Sequence, residues 1–550
     1  MLQIEIKNKW VVSLTINLLL FVAVNIFLLP LFNSGDDVFL LYTLSGGFGD
    51  APTNLLHYDH IWHPGLGWVV KSLYEKLPGI NWYGFILMLL QLKACTVFLY
   101  LLFKKFRANN ALLVYLLFFC FIETRILLSF NFTSTAWITA AAGFLLLLEG
   151  TSKQRNIFYI ISGFALIMIA GLLRIHVLIA VGILLTPALF IYARKEFKTW
   201  SAFIALAAGL LFLLNIQHKN YYKKNIPGWE KQEEYRQVLF KLGNKSENAV
   251  TLSKIGYTDS TKLAFYKARF FIDTGFISIA KLEQLGKALK NETHFSLKDS
   301  LGGLYWLFVE LRVYLLLLAV CIFLLWQAGG LKTFFRHWLI PFLISAGAYF
   351  FLSVFMKMTF SLHMGIMLVL WIYSCETLFV CRSAFQVSKI KPIYFILLLL
   401  PAAWMGIRIY KTDTDNRIKH EKFKCMVSEL KENSDKLFIA TDDLLPMPFY
   451  SVWDVASENK ITNLVYKDRI TTFGYQSTAQ RFGIKDIMLA LITNSKVQLI
   501  GKEIPELKKY YRAKYGVEIG LIKTDVRSYC INISHGFCIS GCEKYAKEFK

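Results

Sequence analysis

Long apolar runs that carry almost no charge dominate this chain, and they leave few folds open. A bilayer crossing takes about 20 mostly apolar residues, wound as a helix because a backbone in hydrocarbon must satisfy its own hydrogen bonds. Such runs lie at 10–32, 81–103, 111–129, 131–149, 157–173, 175–193, 199–216, 304–327, 338–356, 359–380 and 393–409, about eleven in all. With 55% hydrophobic residues over 550 positions, they predict an α-helical polytopic membrane protein. The first run follows Lys7 and Lys9 as a signal peptide would, but it is longer than a signal core and lacks a small-residue cleavage site. It is expected to remain as an anchor.

Basic residues in the short connections set the orientation. Lys7, Lys9, Lys104, Lys105, Arg107, Lys153, Arg155, Arg194, Lys195, Lys198, Lys332, Arg336, Arg382, Lys389 and Lys391 fall on one side. The opposite short connections hold only Lys71, Lys76, Arg125, Arg174 and Lys357. The basic side, with the N-terminus, is expected to be cytoplasmic and the membrane to be the cell (inner) membrane. A crossing at 63–77 would carry the cluster from Lys104 to Arg107 outside, so that stretch is expected to lie in the external interface as a surface helix. The net charge of +23 then reflects basic loops that meet anionic lipid head groups, and it calls for no nucleic acid.

Three pieces lie outside the membrane: loops 33–80 and 217–303, and a tail. The tail alternates β-rich runs (436–441, 461–466, 496–500, 517–523, 529–533) with helical ones (479–492, 503–515). It predicts an external soluble α/β domain over 410–550, appended to a transmembrane domain over 1–409. Cys425, Cys530, Cys538 and Cys542 sit in that tail, where disulfides are expected if it faces an oxidising compartment. Cys95, Cys120, Cys321, Cys375 and Cys381 lie in or beside spans as small apolar residues.

Polar groups collect at the external ends of the spans. They are Asp36, Asp37, Asp50, His57, Asp59, His60, His63, Glu123, Arg125, Arg174, His176, Glu310, Arg312, Lys357 and His363. A charge at mid-membrane costs roughly 2.5–3.5 kcal/mol on insertion scales, so such residues face a protein interior or a wet cavity. Asp36 and Asp37 follow the first span directly and are the candidates for acid–base chemistry. Ser34 ahead of them also fits a helix cap with Asp37 closing a capping box, and the two roles are compatible. Arg174 fits either a phosphate grip or interfacial snorkelling. Arg125 fits an ion pair with Glu123, and Lys357 a simple topological flank. The histidines at 57–63 fit substrate contacts or packing. No standard metal-ligand spacing is present; a divalent cation stays open, and no cofactor is certain.

The first loop resembles that of the C-type (GT-C) membrane glycosyltransferases, in particular the protein O-mannosyltransferases and lipid A aminoarabinose transferases. The residues that carry the resemblance are the acid pair after the first span and His60-Ile-Trp-His-Pro-Gly-Leu-Gly67, followed by an amphipathic helix and a Pro78-Gly turn; the Asp-Asp pair with Leu73-Tyr74, Pro78 and Asn81-Trp-Tyr83 also resembles a large group of bacterial multi-spanning proteins that look GT-C-like. The two named families place an Asp-Glu pair before a His-Pro-Pro-Leu or Pro-Pro-Leu segment; here the second acid is Asp37 and Gly65 replaces the second proline. The resemblance implies a GT-C-like fold and an inverting transfer of a hexosyl or pentosyl group, with an Asp as general base. The implied donor is a polyprenyl-phosphate sugar, and the acceptor a hydroxyl of a glycan, lipid or protein of the cell envelope, as in polysaccharide biosynthesis. Asp36 and Asp37 are then the catalytic candidates, and Arg174, Arg125 and Lys357 the donor-phosphate ligands. His57, His60, His63, His176, Glu123, Glu310 and His363 are the substrate contacts. The rival readings are a polysaccharide or lipid-linked sugar transporter or flippase, a membrane-anchored binding module whose tail recognises glycan or protein, and an O-antigen polymerase or ligase.

Overall fold

The computed structural model describes residues 8–56, 62–151, 156–192, 197–226, 228–230, 233–234, 238, 280, 283–284, 338–355, 359–380, 392–440, 449–466, 475–501, 506–524 and 535–540. Among the described residues, seven helices are long and apolar enough to cross a membrane. The helices run α1 (Lys9–Phe27), α2 (Gly35–Ser45), α3 (Pro64–Lys76), α4 (Trp82–Lys105), α5 (Ala108–Phe118), α6 (Thr124–Leu128), α7 (Phe132–Gly150), α8 (Ile157–Tyr192) and α9 (Phe197–Asn225). Then follow α10 (Ile340–Phe355), α11 (Phe360–Val380) and α12 (Pro392–Glu432). A π-helical turn, Phe119–Glu123, joins α5 to α6. The bundle turns Leu14, Leu18, Leu19, Val22 and Ile26 outward and buries Ser13, Asn17 and Phe21, the pattern of a helix with lipid on its outer side.

Contacts along the helices sort the molecule into two ends. At one end Lys104 Nζ meets Glu149 at 2.6 Å, Lys105 pairs with Glu376, and Trp200 donates to Thr151 Oγ1 at 3.1 Å. This is the end with the basic connections. At the other lie the acid pair, α3 and the tail.

The sequence expects separate crossings at 157–173 and 175–193, and α8 joins them in one helical element broken at Arg174 (φ −162, ψ 100). A straight helix of 36 residues would span about 54 Å, well beyond the ~30 Å of a bilayer core. Before the break α8 runs beside α7, with Gly163 against Gly143 and Leu147, and Arg174 bonded to Thr133. After it, Gly182 lies against Phe144 and Tyr373 donates to the Leu184 carbonyl at 2.8 Å. Both contacts are deep in the bundle, so the chain doubles back and crosses twice. The expected span at 304–327 lies outside the described residues.

Two boundaries differ from expectation. The first helix stops at Phe27, and the end of its apolar run, Leu31–Phe32, forms strand β1, parallel to β2 (Ser129–Phe130). The helix expected at 199–216 continues to Asn225. Helix α3, 13 residues long, rises only about 20 Å and does not cross. Trp68 and Val69 are exposed while Val70 and Tyr74 are buried, as expected of an interfacial helix.

The tail is a five-stranded sheet in the order β4 (Leu464–Tyr466), β3 (Leu437–Ala440), β5 (Val497–Gly501), β7 (His535–Ser540), β6 (Gly520–Thr524). The first three strands are parallel and β7 is antiparallel to both its neighbours. The helix expected over 479–492 is two, Tyr475–Arg481 and Ile487–Thr493, because the turn between them holds Gly483 at φ +68, where a side chain is disfavoured. Strand β7 was not expected, and the strand expected at 529–533 lies outside the described residues. Cys425 is disulfide-bonded, while Cys95, Cys120 and Cys375 are not in disulfides.

Helix α12 runs unbroken from the bundle into the tail, and the tail packs on the first loop. Asp413 accepts from Leu29 N at 2.6 Å, and Asn416 bridges the carbonyls of Leu29 and Leu128. The 450–452 backbone pairs with β1, through Phe32 N to Tyr450 O at 3.0 Å and Val452 N to Pro30 O at 3.2 Å. Arg481 clasps Asp50 at 2.6 Å and the carbonyls of Phe48 and Thr462. Asp50, expected among the cavity residues, thus serves the docking of the tail.

Candidate functional site

The N-terminus of α7 is the hub of the end that carries the acid pair. Asn131 caps this helix by accepting from Ser134 N at 2.7 Å, and Ser361 at the start of α11 donates to the same oxygen at 2.9 Å. The first free N–H, of Phe132, points to Asp37 Oδ1 at 2.9 Å, where the helix dipole favours an acid.

Asp37 is fully buried. Its Oδ1 also accepts from Tyr83 Oη at 2.8 Å, and its Oδ2 from Ser34 Oγ at 2.8 Å. Ser34 Oγ in turn accepts from Asp37 N at 3.3 Å, so the expected cap forms, with the helix starting at Gly35. Burial pushes the Asp37 carboxyl up from 3.8 to about 7, against the opposing pull of Phe132 N–H, Ser34 and Tyr83.

The residues of the Leu-Tyr, Pro and Asn-Trp-Tyr pattern form the frame behind this carboxylate. Tyr74 Oη donates to Asn81 Oδ1 at 3.1 Å and accepts from Tyr83 N at 3.2 Å. Asn81 caps α4 through Gly84 N, and Gly84 is needed there, since a Cβ would come within 2.6 Å of the Val452 carbonyl. The pattern thus fixes Tyr83, and Tyr83 fixes Asp37.

Asp36, the preceding residue, is half-buried. Arg174 lies on the same side of the hub: its Nη1 donates to Thr133 Oγ1 at 2.6 Å and its guanidinium sits 5.3 Å from the Phe132 ring centre. Of the two acids, Asp36 interacts more strongly with this cation. The break in α8 places Arg174 here and releases the Leu172 carbonyl, which accepts from His63 N at 3.0 Å. His63 Nδ1 accepts from Gly65 N, so Nε2 carries the proton donated to the Leu214 carbonyl at 3.1 Å. Burial lowers the pKa of His63, and both its nitrogens serve the fold. Beside it, a pocket opens between Trp62, the α8 break and Leu211, Leu214 and His218 of α9, with Arg174 in its wall.

The other sequence candidates divide. Arg125 reaches the hub from α6, its guanidinium 5.7 Å from the Phe360 ring centre, and His363 pairs with Tyr349 Oη at 3.2 Å two residues beyond Ser361. His176 is exposed two residues past the break. Glu123 does not pair with Arg125. Residues two apart on a helix face different ways, and Glu123 turns into the bundle beside Cys95 and Tyr115, both carboxylate oxygens buried. His57, His60, Glu310 and Lys357 lie outside the described residues. Among the described residues no three His, Cys, Asp or Glu side chains converge as a metal site. Sequence reasoning missed Asn131, Phe132, Thr133 and Trp62. The Asn131-Phe-Thr-Ser134 stretch carried a cap signal, but nothing in it says which acid its free N–H would meet.

No protein-family model and no curated protein matches the chain. Among solved structures the chain is similar to ArnT from Cupriavidus metallidurans in the apo state, at TM-score 0.43 and 11% identity over 96% of this chain and 97% of that one. It is similar to ArnT from the same organism bound to undecaprenyl phosphate, at TM-score 0.42 and 14% identity over 96% and 97%. The third similarity is to the Archaeoglobus fulgidus oligosaccharyltransferase in the apo form, at TM-score 0.43 and 12% identity over 89% of this chain and 69% of that one.

Proposed function

We propose that this integral membrane protein is a glycosyltransferase of the GT-C type that moves a sugar from a polyprenyl-phosphate donor to an acceptor hydroxyl at the acid-pair end of the bundle. The observation that carries the reading is the charge interaction of a half-buried carboxylate, Asp36, with a guanidinium, Arg174, beside a pocket whose walls belong to helices with lipid-facing sides. Nucleotide sugars are confined to the cytosol, so a transferase working on the far side draws on a donor whose lipid stays in the bilayer while its phosphate reaches the site. That end is the external one in this reading, with a membrane domain over 1–409 and an α/β domain over 410–550. The disulfide at Cys425 supports an oxidising location for the tail.

In the proposed step the acceptor oxygen attacks the anomeric carbon as Asp36 takes its proton. The bond from that carbon to the phosphate oxygen breaks on the opposite face, giving inversion. The leaving polyprenyl phosphate gains negative charge, which Arg174 meets in a site depleted of water. Arg125 joins Arg174 in this role, and His63 and His363 act as walls that position substrate. Asp37 is a positioning residue: three donors occupy its oxygens, and it holds α2, α4 and α7 together under Asp36. The described residues offer no ligand set for a divalent cation, so no step is routed through one.

The test is a panel of polyprenyl-phosphate sugars, hexosyl and pentosyl, offered to the purified full chain in nanodiscs, with release of the lipid phosphate as readout. Wild type is expected to turn over one donor class, and Asp36→Asn to lose about 100- to 10,000-fold, the usual worth of a positioned base, with an unchanged unfolding midpoint. A folded Asp36→Asn protein that transfers at the wild-type rate removes Asp36 from the base role. Wild type inert towards every donor removes the reading itself.

A further inference from the structure

We propose that Trp453 dips the tail into the bilayer: its indole lies against the upper acyl chains of the phospholipids at the acid-pair end, where it crowns the outer groove between α1 and α4. The contact is independent of the transferase reading and needs only that the bundle spans a membrane.

Helix α1 sets the height of the ring. Trp453 Nε1 donates to Asn25 Oδ1 at 2.7 Å, and Asn25 stands in the last turn of Lys9–Phe27. At the opposite end of that helix Trp10 packs edge-on against Tyr100, with the Lys93 ammonium 4.7 Å from its ring centre, the aromatic and basic company of a membrane face. From Trp10 to Asn25 a helix rises about 22 Å, and tilt only shortens that rise. A hydrocarbon core is about 30 Å thick. The ring bonded to Asn25 is therefore held at or inside the edge of the hydrocarbon, although it belongs to the tail.

The surfaces on both sides of it are lipid-facing. Ile26 and Phe27, 68% and 73% exposed, leave α1 next to Asn25. On the other side a Cβ at Gly84, in the first turn of α4, would come within 2.6 Å of the Val452 carbonyl, and Phe85 and Leu89 of the same helix are exposed. Trp453 itself is 44% exposed. Because Asn25 takes its N–H, the ring shows only hydrocarbon outward, a surface that gains from acyl chains and not from water. Beside it Arg417 of α12 donates to the Phe27 carbonyl at 3.2 Å with its guanidinium half exposed, a cation suited to head-group phosphates.

A loop can sit at this depth only if its backbone groups find partners within the protein, and this one meets the condition. Val452 N donates to the Pro30 carbonyl at 3.2 Å, Trp453 N to Ser451 Oγ at 3.3 Å and Asp454 N to the Ser451 carbonyl at 3.1 Å. Asp454, the charged residue of the turn, faces inward: its carboxylate accepts from Ser451 N at 3.0 Å and lies 3.5 Å from His420 Nδ1 of α12.

The experiment uses the full chain in nanodiscs, with phospholipid brominated either near the glycerol end of its acyl chains or at their tips, and with acrylamide as the quencher in water. Trp453→Phe keeps an apolar ring in place, and wild-type emission minus that of the variant is the emission of Trp453. It is expected to be quenched about twofold more by bromine near the glycerol end than by bromine at the tips, as for a ring in the interface, and to be shielded from acrylamide. Emission that acrylamide quenches and bromine does not overturns the inference. Where Trp453→Phe unfolds more readily than wild type, a photoreactive phenylalanine derivative at position 453 decides instead. It is expected to yield a phospholipid adduct on irradiation. No lipid adduct, or crosslinks to a second copy of the chain alone, overturns the inference. Either failure leaves the transferase reading standing.

Discussion

Asp37→Asn separates the two members of the acid pair, and the structure sets both the sign and the size of its effect. Burial lifts the Asp37 carboxyl from 3.8 to about 7. At 1.36 kcal/mol per pH unit, its ionised form costs the folded state on the order of 4 kcal/mol above neutrality. The folded state binds this proton more tightly than the unfolded chain does. The contribution to stability is therefore fully present below 3.8, declines as pH rises, and is gone above about 7. Asparagine fits the same cradle. Its carbonyl oxygen keeps Tyr83 and Phe132 N–H, and its amide donates to Ser34 Oγ once that hydroxyl rotates. Asp37→Asn is expected to unfold no earlier than wild type at about pH 8, and to lack the wild-type fall in stability across the window from 3.8 to about 7. The assay is the unfolding midpoint of the full chain at a series of pH values, read as wild type minus variant so that other titrating groups cancel. Transfer is expected to drop no more than about tenfold, the rate equivalent of roughly 1.4 kcal/mol. A variant less stable than wild type at about pH 8, or one with the wild-type pH dependence, refutes the account of a carboxyl kept protonated by burial. A loss of transfer as deep as that of Asp36→Asn hands Asp37 the base role.

Two further predictions concern the scaffold. Arg481→Ala removes a half-exposed ion pair, worth only about 0–1 kcal/mol by itself, but it also strips the carbonyls of Phe48 and Thr462 of a donor. The tail is expected to loosen on the first loop, seen as about tenfold faster proteolysis within 449–466, and an unchanged cleavage rate would show that the clasp is incidental. Gly365→Ala places a Cβ 2.3 Å from the Trp137 ring, a ring 2% exposed between α7 and α11. Overpacking of this kind costs about 1–3 kcal/mol, and an unfolding midpoint equal to that of wild type would mean that α7 and α11 do not meet there.

Apolar runs were enough to read the described spans, because each crossing is a local property of about 20 residues. The reversal of α8 was legible for the same reason: 157–173 and 175–193 are each one crossing long, and only the polar residue between them, Arg174, separates them. Element ends were less legible. Leu31–Phe32 reads as more helix until a partner strand, a hundred residues away at Ser129–Phe130, pulls it into a sheet. The site was half legible. Asp36, Asp37 and Arg174 stand out as charges beside a membrane, yet which of the two acids is buried and held depends on Phe132 and Tyr83, contacts that no spacing rule gives.

A buried acid is an expensive way to tie three helices together, and a methyl-filled core would be more stable. The expense has a use if Asp36 must sit within a narrow range of positions. Holding Asp36 in the first turn of α2 takes a frame beneath it. Its neighbour supplies one: Ser34 holds Asp37 from the same turn, Tyr83 from α4 and Phe132 N–H from α7, and Arg174 is fastened to the next residue of α7, Thr133. The proposed base and the cation are thereby referred to a single point, the first turn of α7. Any motion of that turn carries both together, and the gap between them, where a sugar carbon would change partners, stays constant. Preorganised electrostatics of this kind lowers a barrier because nothing needs to reorient as charge develops.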